Sequence, residues 1–186
     1  DSMFTKNEIR DLSLSTLSIA IIFSFPHFGN FFEYLAIVAL SFILHELAHK
    51  FAAEKFGCIA LYKIWPAGIL FGLIFMFGGI KLVAPGAVMI YPFRFGRWKF
   101  GARELTIKEE GIIASLGPLV NLIFGSLSLF SKNHFILSLS YINSFLAFFN
   151  LLFFPPLDGS KIIRWNPLVW ILMFSAALAL VFLWFK

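Results

Sequence analysis

The sequence predicts an all-α polytopic membrane protein with about five to six transmembrane helices and a re-entrant or β element between two of its core helices. Three observations carry that expectation. Of 186 residues, 60% are hydrophobic and 13% charged, with 26 phenylalanines, a load that the surface of a soluble domain does not tolerate. The apolar residues fall in runs separated by breaker-rich turns. The basic residues sit beside the ends of those runs, so the net charge of +5 implies anionic lipid headgroups as partners and not nucleic acid.

Taken in order, residues 12–25 form a first apolar helix that ends at Pro26-His27-Phe28-Gly29-Asn30. Ser13, Ser15, Ser18 and Ser24 suit packing against neighbouring helices. The second span, residues 31–56, stops at Gly57, a helix cap. Residues 69–80 are apolar, but they fall short of the roughly 20 needed to cross and include Gly72, Gly78 and Gly79, which suit bends. Residues 81–92 lean towards strand around Pro85-Gly86, and a hydrophilic loop with Arg94, Arg97, Lys99, Arg103 and Lys108 follows. Further spans are read at 111–130, 135–154 and 167–185, the first two joined by a turn at 131–134. No polar stretch is long enough for a second unit, so residues 1–186 read as one domain with a core at about 31–159 and no PDZ-like insert. Lys6 and Arg10 precede an apolar run without a clear cleavage site, so no cleavable signal is expected. A lone cysteine, Cys58, excludes an internal disulfide framework.

Inside the second span lies His45-Glu46-Leu47-Ala48-His49. On a helix the i, i+4 spacing turns His49 only about 40° from His45, so both imidazoles share a face and can hold one Zn²⁺. Glu46 can then serve as base for water at the metal. Two histidines hydrogen-bonded inside a bundle are the plainer reading. Three ionisable groups within five positions at membrane depth need a shared reason, however, and a metal supplies it.

A catalytic zinc usually takes three protein ligands and leaves a fourth position open. His27 and His134 lie in turns on the far side, Glu54 points about 140° away from His49, and Cys58 is a weaker candidate nine residues on. Asp158 lies between Pro155-Pro156 and Gly159, which can turn its carboxylate into the bundle. An isolated Leu-Asp-Gly is an ordinary turn; beside a membrane His-Glu-x-x-His it becomes the favoured third ligand.

Charge tests this pairing. If the N-terminus is cytoplasmic and residues 59–92 enter and leave on one side, twelve of the fifteen lysines and arginines are cytoplasmic: Lys6, Arg10, Lys50, Lys55, Lys63, Arg94, Arg97, Lys99, Arg103, Lys108, Lys161 and Arg164. Lys132 and Lys186 lie outside, and Lys81 stays unassigned. The same arrangement brings His45, His49 and Asp158 to the cytoplasmic half of a multi-pass cell-membrane protein. A single crossing by 69–80 would put Asp158 on the wrong side.

His45-Glu46-Leu47-Ala48-His49 in one span, Gly117-Pro118-Leu119-Val120-Asn121 in a second, and Asn150 eight residues before Asp158-Gly159 together resemble the core helices of the site-2 protease family of intramembrane zinc metalloproteases. The resemblance implies one zinc per chain held by His45, His49 and Asp158, Glu46 as general base, and Asn121 and Asn150 positioning substrate or polarising its carbonyl. It implies a transmembrane protein as substrate, and re-entrant or β structure between the first two core helices. Phe153 departs from the pattern, since related motifs often carry a proline there. The alternatives are a metal transporter, for which no second acidic or histidine cluster lies across the bilayer, and a non-proteolytic metal-binding membrane protein, which would not need Glu46.

Overall fold

The computed structural model describes residues 4–91 and 105–185. In order these form α1 (Lys6–Ser24), α2 (Phe31–Lys55), β1 (Ile59–Ile64), α3 (Pro66–Phe75), β2 (Gly86–Tyr91), α4 (Ile107–Gly125), α5 (His134–Asn150), α6 (Asp158–Trp165) and α7 (Pro167–Phe182). Arg94, Arg97, Lys99 and Arg103 of the hydrophilic loop lie outside the described residues.

Local chemistry sets several of the boundaries. Thr5 and Thr106 each open a helix with a capping box: the hydroxyl accepts from the N–H of Glu8 or Glu109, whose carboxylate accepts the threonine N–H in return. Gly57, at φ 74°, ends α2, as its position after the apolar run predicts, and the Cys58 N–H reaches back to the Ala53 carbonyl at 2.9 Å. Asn166 caps α7, its Oδ1 accepting from the N–H groups of Leu168 and Val169.

Among the described residues three helical segments are long and apolar enough to cross a membrane: Phe28–Lys55, Ile107–Leu129 and Pro167–Phe185. Side chains such as Ile123, Leu172 and Phe182 stand exposed along them, the surface expected where lipid is the solvent. Of the five to six expected spans, the other two long helices fall short by these criteria. The α5 helix stops at Asn150 after 17 residues, and α1 carries Lys6, Glu8, Arg10 and Asp11 in its first two turns.

Between α2 and α4 the chain makes a β1–α3–β2 insert whose strands pair antiparallel from Ile59↔Tyr91 to Ile64↔Gly86. Ile59 follows closely on the end of α2, so the insert returns to the end of the molecule it left. Strand structure is not confined to residues 81–92, as their composition had suggested. It takes in Ile59–Ile64 on one side and begins only at Gly86 on the other. The insert reaches deep: the Tyr62 N–H donates to Glu8 near the start of α1, and the Lys81 ammonium donates to the Ile22 and Phe25 carbonyls at its end. Those anchors bracket about 25 Å of helix at 1.5 Å per residue. Gly72, read as a bend residue, lies instead within α3 one turn from Gly68. Added Cβ atoms there would lie 2.7 and 1.9 Å from the carbonyl oxygens of Leu82 and Ala84, so the two glycines let helix and returning chain touch.

One core unites α1, α2 and α5 around Ile19, Phe23, Ile37, Phe42, Ile142 and Leu146. A second joins α4 to α7 through Ala114, Ala147, Leu151, Ile162 and Ala177. Lys50, expected among the cytoplasmic basic residues, is buried against α1. Its ammonium donates to Glu8 at 2.8 Å and lies over the Phe4 ring, because a buried cation needs a partner once water is gone.

Candidate metal centre

The α2 helix brings His45 and His49 to one face about 9–15 Å from its C-terminal end at 1.5 Å per residue. The 151–157 turn after α5 delivers Asp158 to the same point as the first residue of α6. The helix break needs no proline at 153, since Pro155 and Pro156 lie within that turn. His45 Nε2 and His49 Nε2 are 3.0 Å apart, and Asp158 Oδ2 lies 3.0 Å from His49 Nε2 and 3.3 Å from His45 Nε2. All three side chains are buried. Among the described residues they form a group able to hold a metal ion.

The donor chemistry fits such an ion. His49 Nδ1 faces the Ile113 carbonyl at 2.8 Å and His45 Nδ1 faces Asn121 Oδ1 at 2.6 Å. Both oxygens accept, so each Nδ1 carries the proton and each neutral ring turns a bare Nε2 inward. Two lone pairs and a carboxylate oxygen then converge in a dry site, an arrangement that repels itself unless a cation lies between them. Tetrahedral zinc with bonds of 2.0–2.1 Å sets its ligand atoms about 3.3 Å apart, close to the separations found here. Opposite the histidines is Gly117, where an added Cβ would lie 2.3 Å from His49 Nε2 and 2.6 Å from His45 Nε2. Only a residue without a side chain leaves room at that wall.

Glu46 is buried on the same turn, and its Oε2 has no hydrogen-bond partner. An orphaned carboxylate oxygen beside three converging ligand atoms is suited to receive a proton from a molecule bound there. Asn121 is placed differently from its expected role. It is fully buried behind His45, its Oδ1 taken by that ring and its Nδ2 donating to Asn143 Oδ1 at 2.8 Å, so no free polar atom faces a substrate. Asn150 sits half-buried at the end of α5, where one amide hydrogen goes to the Leu146 carbonyl at 3.0 Å. His134 pairs with Glu33 at the opposite end of α2, His27 is exposed, and Cys58 packs among Ala53, Ala60 and Ile113.

Asn143 and Gly117 escape a sequence reading as parts of the centre. Asn143 sits in a serine-studded helix as one more small polar residue, and only the packing of α4 on α5 gives it meaning. Gly117 belongs to a motif already quoted, yet only its contact distance assigns it to the histidines.

Over 179 residues, 90% of this chain and 88% of the relative, the sequence is 38% identical to a Methanocaldococcus jannaschii protein named "Putative zinc metalloprotease". No family model matches the chain, and no solved structure matches it with comparable significance.

Proposed function

The chain belongs to the zinc metalloprotease family of that archaeal relative, and from this we propose that it is a site-2-protease-type intramembrane endopeptidase. It would cut peptide bonds in or near transmembrane segments of other membrane proteins, in the manner of regulated intramembrane proteolysis. The observation that carries the reading is the buried cluster in which His45 and His49, on an apolar helix long enough to span, meet Asp158 of α6, with the unpartnered Glu46 on the same helix as the histidines.

His45, His49 and Asp158 would hold one zinc, which when bound polarises a peptide carbonyl and acidifies water. Glu46 Oε2 takes the proton of the attacking water and returns it to the leaving amine, so bond formation and cleavage balance without another acid. Asn150 retains one amide hydrogen beyond its bond to Leu146, and we assign it to donate to the substrate carbonyl. Burial keeps bulk water out, so these charges act at full strength.

A substrate helix must unwind before cleavage, and β2 offers the edge to hold it. The outer edge of β1 is closed, its Tyr62 and Ile64 N–H groups donating to Glu8 and Asp11. Given the register, the N–H and C=O groups of Val88 and Ile90 point away from β1. They border a cavity of about 510 Å³ that is also lined by Lys161 and Arg164 of α6. Lys161 lies 3.8 Å from Asp158, so the cavity approaches the metal ligands and suits both an extended substrate and entering water.

Metal analysis of purified protein, combined with cleavage of a panel of labelled single-span membrane proteins, tests this reading. Wild type should contain one zinc per chain and cut at least one substrate. Glu46→Gln should retain the zinc and lose on the order of 10²–10⁴ in rate. Undiminished cleavage by Glu46→Gln, or protein without zinc, refutes the assignment.

A further inference from the structure

Behind His45 lie two fully buried amides, those of Asn121 and Asn143. Their polarity begins at the Leu139 carbonyl, which can only accept, and which therefore fixes the NH₂ end of Asn143 at 2.8 Å. The second hydrogen of that NH₂ goes to Ser41 Oγ at 2.7 Å. Asn143 Oδ1 is then left to accept from Asn121 Nδ2 at 2.8 Å, the Ser41 carbonyl meeting the same NH₂ only at 3.5 Å, and this turns Asn121 Oδ1 towards His45 Nδ1. Asn121 and Asn143 both have 0% relative exposure, so no water is available to satisfy either amide in the opposite orientation.

We propose that Asn143 is a positioning residue that fixes, through Asn121, which ring nitrogen of His45 carries the proton, and so keeps His45 Nε2 bare for the metal. His49 needs no such relay, because the Ile113 carbonyl fixes its ring directly. His45 has only a side-chain amide, and an amide can turn over. With its NH₂ towards His45, Asn121 would stabilise the tautomer protonated at Nε2, which cannot ligate. The inference rests on the zinc-site reading of His45. A simpler role as polar glue between α2, α4 and α5 predicts the same hydrogen bonds, but not the following outcomes.

Ring ¹⁵N shifts of histidine-labelled, metal-free wild type, with His45 assigned by its absence in His45→Ala, should show His45 protonated at Nδ1. A bare Nδ1, with the proton on Nε2 alone, overturns the proposal without recourse to any further variant. Zinc affinity by chelator competition gives the second readout, and Asn143→Leu should lower it on the order of 10–100-fold. In an Asn121→Asp background either carboxylate oxygen accepts from His45, so adding Asn143→Leu there should change affinity by no more than about twofold. An equal loss in both backgrounds reduces Asn143 to a packing residue, and unchanged affinity in the single variant removes any role. Failure of wild type to bind zinc or cleave would instead defeat the protease reading. The tautomer is measured on metal-free protein and stands apart from that result.

Discussion

At the scale of single residues, the centre is legible where chemistry is local. His45, Glu46 and His49 declare themselves because one turn of helix dictates their relative direction. Asp158 is readable only through its neighbours, since prolines and a glycine free an acidic residue to turn inward. The wall of the site is not readable at all: Gly117 matters because α4 passes within contact distance of two imidazoles, a property of packing. Gly117→Ala is expected to displace a histidine, as its Cβ would lie 2.3 Å from His49 Nε2. Overpacking of this kind costs typically 1–3 kcal/mol. Zinc content should fall well below one per chain while the protein still folds; full occupancy by metal analysis would show that the wall yields.

At the scale of elements, α1 ties two others together. Glu8 caps its own helix, accepts from Lys50 of α2, and accepts from the Tyr62 N–H of β1, so one carboxylate joins the zinc-site helix to the insert. Burial by itself would raise its pKa, but hydrogen bonds from Lys50 and from the Thr5 and Tyr62 N–H groups outweigh that and hold it below the usual carboxylate value. A depressed folded-state pKa contributes stability above the unfolded value near 4.5, and this is lost as pH falls through the folded one. Glu8→Gln should therefore be destabilised at neutral pH, on the order of 3–5 kcal/mol if Lys50 stays buried, and less so in acid. Thermal unfolding in detergent across pH 3–7 tests this, and a constant gap between variant and wild type would remove Glu8 as the source. The open edge of β2 makes a separate prediction. Ile90→Pro deletes an outward N–H and spares the bonds to β1, so cleavage should drop about tenfold or more with zinc retained. Equal turnover would discard edge pairing. Strand character is legible at residues 81–92 but not at Ile59–Ile64, because a short apolar segment after a helix carries no sign of its distant partner.

At the scale of the whole molecule, side-chain pairs fix which ends lie together. Glu8 with Lys50 and Glu110 with Arg164 join the start of α1 to the end of α2, and the start of α4 to α6; Glu33 with His134 joins the start of α2 to the start of α5. Asp158 can meet the histidines only if α2 ends and α4 begins on one face, and the antiparallel pairing of Ile59 with Tyr91 supplies that condition. The expectation that twelve basic residues share a side requires the insert to turn back, and the β1–β2 pairing is compatible with that. The insert's depth is another matter: it depends on the Lys81 ammonium reaching the end of α1, and Lys81 is the one cation that charge counting leaves unassigned. Cysteines at Lys63 and Lys108, both exposed, in a Cys58→Ser background should react with a membrane-impermeant maleimide from one face of sealed vesicles. A cysteine at the exposed Lys132 should react only from the other. If Lys63 and Lys108 labelled from opposite faces, the insert would cross once, α4 would begin across the bilayer from the end of α2, and Asp158 could not share a metal with His45 and His49.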